Sequence, residues 1–164
     1  MLDGYPQIEG QDYPLFDAWH CKAIEKLIDK SKEYQELFEE SQITVGQAQK
    51  WLNMSIKYMR MMGLLNKDIK SEFIHVPIDN YIVDAVKKNG KISELFEVES
   101  LGIEPTFSGK WSKITEYKDY LKYQKTIQEE LRKRNCIPIV WESDAWMAEA
   151  TVITDRWSKS KTDG

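Results

Sequence analysis

Two side chains in the stretch from Thr44 to Val86 have types that can do chemistry together, Lys50 and Asp79. Lys50 sits in a strongly apolar helical pattern, flanked by Ala48 and by Trp51 and Leu52. A lysine so placed either snorkels its ammonium to solvent or lies partly buried, and burial favours the neutral, nucleophilic amine. Asp79 follows Val76-Pro77-Ile78 where the next helical pattern opens, a place that favours a carboxylate and that capping alone can explain. If the polar stretch Asn66–Glu72 is a loop, the two helices run antiparallel and the amine and carboxylate face one cleft. An amine freed there is a nucleophile, and the carboxylate has a functional role only with a lysine or a water within reach.

The elements that must position this pair read as helices. Residues 1–14, rich in Gly, Pro and aromatics, have no period and predict an extended arm. Asp17 is a candidate cap for a helix carrying Trp19, Ala23, Ile24, Leu27 and Ile28, with a break expected near Ser31 and a second short helix through Tyr34, Leu37 and Phe38. Thr44 and Gln47 form a capping-box pattern for the central helix. There Val45, Ala48, Leu52, Ile56 or Met59, and Met62 line one face, while Trp51, Tyr58 and Met61 widen it and predict burial over most of the circumference. Gly63 is the expected stop. Pro77 suits the first turn of the following helix, which Asn89-Gly90 ends.

The stretch Lys91–Lys110 gives little signal. A helix is expected from Ser112 or Thr115 to Asn135, and another from Pro138 to about Trp157, although Ile137–Trp141 has β-branched content that also suits a strand. Residues 158–164 predict a frayed tail. The sum is one compact all-α domain over residues 1–164, with about six to seven helices.

Bulk properties narrow the class. A chain of 164 residues, 41% hydrophobic and 30% charged, suits one globular domain. The net charge of −4 argues against a dedicated nucleic-acid binder. The charge is uneven, however: Lys87, Lys88, Lys91, Lys110, Lys113, Lys118, Lys122, Lys125 and Arg132-Lys133-Arg134 crowd the later half. No apolar run is long enough for a membrane span, the N-terminus lacks signal-peptide features, and Cys21 and Cys136 share no metal-type spacing. These features predict a cytoplasmic protein with no metal, no cofactor and no membrane partner. The oligomeric state is not legible.

Val45-Gly46-x-Ala48-x-Lys50, followed about thirty residues later by Val76-Pro77-Ile78-Asp79, resembles the helix-hairpin-helix DNA glycosylase superfamily, most of all its archaeal 8-oxoguanine branch. The likeness covers about a quarter of the chain. It implies a glycosylase-like helical fold in which Asp79 is the catalytic carboxylate and Lys50 the nucleophile that forms a Schiff base at the sugar C1′. Thr44-Val45-Gly46 stands where the family has a longer glycine hairpin whose amides grip a phosphate, so Gly46 is the expected backbone phosphate contact.

An extruded base needs aromatic faces and polar groups for its edge. Trp51, Tyr58, Trp141 and Trp146 are the stacking candidates, and Gln49, Asn53 and Asn80 the edge partners, although a single Trp is more often core than platform. Two expectations follow. One is a glycosylase-like protein that excises or binds an oxidised or modified purine in DNA. The alternative is a non-catalytic helical binding protein for a nucleotide, a small signalling molecule or a protein partner.

Overall fold

The computed structural model describes residues 13–38, 42–66, 69–93 and 95–162. Most of the predicted arm lies outside them; Tyr13 and Pro14 open the first helix. The described chain folds as five α-helices and one small hairpin: α1 (Tyr13–Phe38), α2 (Val45–Met61), α3 (Asn80–Lys87), β1 (Lys91–Ser93), β2 (Phe96–Glu99), α4 (Tyr117–Lys133) and α5 (Pro138–Thr162). Two single 3-10 turns, Ser71–Phe73 and Trp111–Lys113, join them. None of these helices is long and apolar enough to cross a membrane.

The count of five corrects the predicted six to seven. α1 runs unbroken through Ser31, where a break was expected; the Ser31 hydroxyl finds its partner inside the helix, donating to the Ile28 carbonyl at 2.7 Å. The weakly patterned stretch after α3 holds the antiparallel hairpin, in which Lys91 pairs with Glu99 and Ser93 with Phe96. Asp17 does not cap α1 but lies in its second turn, turned inward. Pro77 precedes α3 in extended chain, which its fixed φ suits as well as a helix start.

Other local signals work as their chemistry dictates. The Thr44 hydroxyl accepts the Gln47 N–H at 3.1 Å, and the Gln47 carboxamide oxygen accepts the Thr44 N–H at 3.0 Å. After α2, Gly63 takes φ 69°, and the N–H groups of Leu64 and Gly63 return to the carbonyls of Met59 and Arg60. Asn135, at φ 54°, closes α4 in the same way through Cys136 N–H to Leu131 O. From Pro138 the chain is helical, and the Trp141 indole N–H donates to Glu99 O at 3.0 Å, fastening α5 to β2.

The main core joins Ile24, Val45, Ala48, Ile82, Ala85, Val86, Tyr120, Ile127, Ala145 and Ala148, so every helix contributes. A second cluster packs Phe16 of α1 on Ile56, Leu65, Ile69, Ile74 and Ile139. α2 is not buried all round: Trp51, Tyr58 and Met61 are 65%, 50% and 71% exposed. Its inner face meets core on one side and a polar network on the other.

Between the clusters runs the extended segment 74–79, buried at every residue. A buried backbone must find hydrogen-bond partners, and this one has no neighbouring strand. Two glutamines serve instead. Gln124 of α4 donates from Nε2 to Val76 O at 2.6 Å and accepts Val76 N–H at 3.2 Å. Gln49 of α2 does the same to Ile78, at 2.8 and 3.1 Å.

Asn53, fully buried, links these clamps to a cluster of rings. Its amide donates to Gln49 Oε1 and to the Tyr120 hydroxyl, and its oxygen lies 2.9 Å from His20 Nε2. His75 is 2.9 Å from Tyr120 Oη and 2.9 Å from Asp17, whose other oxygen pairs with Lys125 at 2.6 Å. Burial holds both imidazoles below the ordinary histidine range; at His75 the opposing pull of Asp17 is the smaller effect, and at His20 the neighbouring His75 adds to the lowering.

A depressed histidine pKa means that the unfolded chain binds protons that the folded chain refuses, so stability falls as pH drops through 6.5, the usual histidine value. Asp17, lowered despite its burial by His75 and Lys125, acts only further into acid. The melting temperature is expected to be about 5–10 °C lower at pH 5.5 than at pH 7.5. Equal melting temperatures at the two values would show that the buried pair is not held neutral.

Candidate functional site

The clamped segment ends on Asp79, whose two oxygens have different tasks. Oδ1 accepts the Ile82 N–H at 3.0 Å and caps α3. Oδ2 turns toward α2 and α5, where it accepts the Lys50 ammonium at 3.1 Å and the Trp146 indole N–H at 3.2 Å. Capping and pairing are thus simultaneous, and the carboxylate is nearly buried while the Lys50 side chain remains 35% exposed. The amine is within reach of an incoming molecule.

Aromatic rings frame this pair. Lys50 Nζ lies 5.4 Å from the centre of the Trp111 ring, near enough for a cation–π contact. The Trp111 indole N–H donates to Asn80 Oδ1 at 2.8 Å, and Trp146 packs on Tyr81 with ring centres 5.1 Å apart. The turn that carries Trp111 is seated on α2 through Gly46, whose N–H donates to Ile114 O at 3.0 Å. A Cβ at Gly46 would stand 2.0 Å from Trp111 O, so glycine is what lets the turn approach.

A second ion pair flanks the first. Two helical turns beyond Lys50, Lys57 donates to Glu142 of α5 at 2.6 Å; the Glu142 side chain is 1% exposed and that of Lys57 12%. Burial pushes the Glu142 carboxyl up, nearby Asp79 pushes the same way, and Lys57 opposes both. Glu142 and Trp146 are one turn apart on α5, so the Lys57 pair fixes the helix that presents the indole to Asp79.

Of the residues singled out in the sequence, Lys50, Asp79, Asn80 and Trp146 come together. Gln49 and Asn53 are fully buried and spent on Ile78, Val76, His20 and Tyr120, so they do not offer an edge to a ligand. Trp51 and Tyr58 stand on the exposed face of α2. Trp141 is core, bonded to Glu99, and lines a separate cavity of about 400 Å³ with Asp144 and Arg134. The Gly46 amide is committed to Ile114 and is not a free phosphate donor.

Sequence reasoning missed Trp111, Tyr81 and the Lys57–Glu142 pair. Gly46 was the available hint to Trp111, since a glycine inside a helix marks a close approach by other chain. Among the described residues no group of His, Cys, Asp and Glu could hold a metal ion.

Removing Glu142 alone should leave the largely covered Lys57 ammonium without its partner. Glu142→Ala is expected to cost about 3 kcal/mol in chemical denaturation, whereas joining Lys57→Met to Glu142→Leu should recover most of that loss. A single variant as stable as the parent would mean that the pair does not hold α5 in place.

No family model, curated protein or solved structure matches this chain.

Proposed function

We propose that this is a DNA glycosylase-like protein of the helix-hairpin-helix type, which excises an oxidised or modified purine. The observation that carries the proposal is the Lys50–Asp79 pair at 3.1 Å, with the amine partly exposed and the carboxylate nearly buried. In the reaction, Asp79 takes a proton from the Lys50 ammonium and the free amine attacks the sugar C1′. The bond from C1′ to the base breaks, and the base leaves with that bond's electron pair and takes the proton from Asp79, which becomes a carboxylate again. The new secondary ammonium on C1′ then passes one proton to the ring oxygen, whose bond to C1′ breaks to leave a hydroxyl and the protonated Schiff base. The Asp79 carboxylate offsets the positive charge.

Trp111, Trp146 and Tyr81 supply aromatic surface beside the amine, the kind of wall that receives an extruded base. Both cysteines are free thiols, in keeping with work in the reducing cytoplasm on DNA repair.

One observation favours the second reading, a non-catalytic binding protein for a nucleotide-like molecule or protein partner. Lys87, Lys88, Lys125, Lys133 and Arg134, part of the basic later half, are paired with Glu104, Glu149, Asp17 and Glu130. Those pairs draw positive charge away from a phosphate backbone, on a chain whose net charge is already −4.

Borohydride reduction separates the readings. With duplexes containing 8-oxoguanine or an abasic site, the wild-type protein should give a covalent adduct. Lys50→Gln should give none, and Asp79→Asn about 100-fold less. A folded wild-type protein that traps neither duplex would end the enzymatic proposal.

A further inference from the structure

Gln49 and Gln124 hold the same buried segment by the same chemistry, yet they stand at different distances from the site. Gln124 clamps Val76, three residues before Asp79; Gln49 clamps Ile78, immediately before it. Gln49 also precedes Lys50 in α2, so one side chain joins the immediate chain neighbours of both members of the ion pair. Its oxygen accepts two donors, Ile78 N–H and Asn53 Nδ2, and its nitrogen donates to Ile78 O. The side chain is fully buried. An apolar residue of similar length could fill that volume but would leave Ile78 N–H and C=O without partners.

We infer that Gln49 is a positioning residue that sets the separation of Lys50 and Asp79, whereas Gln124 only supports the segment. This inference rests on the reading of Lys50 as the reactive amine. The clamp acts through the backbone. It fixes Ile78 against α2, and the peptide that follows carries the Asp79 carboxylate to the ammonium. With the clamp released, Asp79 keeps its cap on Ile82 N–H, since that bond lies within α3 and its own N-cap. What loosens is the reach from Oδ2 to Lys50.

The two glutamines provide the experiment with its own control. Gln49→Met and Gln124→Met should both lower the melting temperature, because each leaves a buried peptide group unpartnered. Only Gln49→Met should change Lys50. Limited reductive methylation with formaldehyde and a borane, read by peptide mass spectrometry, needs no DNA; an ammonium held against a carboxylate reacts slowly. Lys50 labelling is expected to rise at least threefold in Gln49→Met and to stay within about 1.5-fold of wild type in Gln124→Met. Gln49→Glu, which keeps the acceptor for Ile78 N–H and loses the donor to Ile78 O, should fall between and serves if Gln49→Met does not fold.

In borohydride trapping with abasic DNA, Gln49→Met should lose at least tenfold, while Gln124→Met stays within twofold of wild type. Equal labelling of Lys50 in the two methionine variants, whether raised in both or in neither, would overturn the role given to Gln49. If the wild-type protein traps no DNA, the enzymatic proposal fails, and the labelling contrast still decides the clamp.

Discussion

A stretch of extended chain buried among helices must satisfy its peptide groups without a sheet, and much of this molecule follows from how segment 74–79 does so. Glutamine amides from two different helices each accept an N–H and donate to the C=O of one residue, as a neighbouring strand would. The arrangement ties α2 and α4 to the segment at fixed register. It delivers Asp79 to the point where α3 begins, so the last residue of a held strand becomes the first cap of a helix. Local structure and site geometry are therefore set by the same hydrogen bonds.

The polar interior that supports these clamps has a cost. His20, His75, Asn53, Gln49 and Gln124 are all fully buried, and each desolvated group needs a partner. The network supplies them through ring nitrogens, hydroxyls and amides, with Asp17 and Lys125 at its outer edge. Such a network specifies one arrangement of α1, α2 and α4 more strictly than apolar packing would, because a slipped register would strand several groups at once. The apolar clusters on either side supply the burial that offsets its cost.

Much of this was legible in the sequence where a short-range rule applies. The Thr44–Gln47 box, the Gly63 and Asn135 stops and the start of α5 at Pro138 are local chemistry. The meeting of Lys50 and Asp79 was expected from two antiparallel helices, whereas Asp79 reaches Lys50 from the held segment that precedes α3. Other long-range partners were not legible. Gln49 and Asn53 looked like groups to offer a ligand because a polar residue on a helix reads the same whether it faces solvent or a buried strand. Asp17 looked like a cap for the same reason, yet it serves His75, 58 residues away. Trp111 fell between the weakly patterned Lys91–Lys110 and the expected helix start at Ser112 or Thr115, and its fit over Gly46 explains its place. The hairpin at 91–99 lay in the same weakly patterned region. Trp51 and Tyr58 misled in the other direction, as large aromatics at helical spacing that remain outside.

The central claim is that one oxygen of Asp79 serves both Lys50 and Trp146, while the other caps α3. The indole N–H signals in a proton–nitrogen NMR spectrum test it most directly, with Trp146 assigned through Trp146→Phe. In Lys50→Met the Trp146 indole signal should move, because the oxygen it bonds has lost its cation, and the Trp141 signal, bonded to Glu99 O on another part of α5, should stay in place. A Trp146 signal unmoved by loss of the Lys50 ammonium would contradict the shared oxygen and the site built around it.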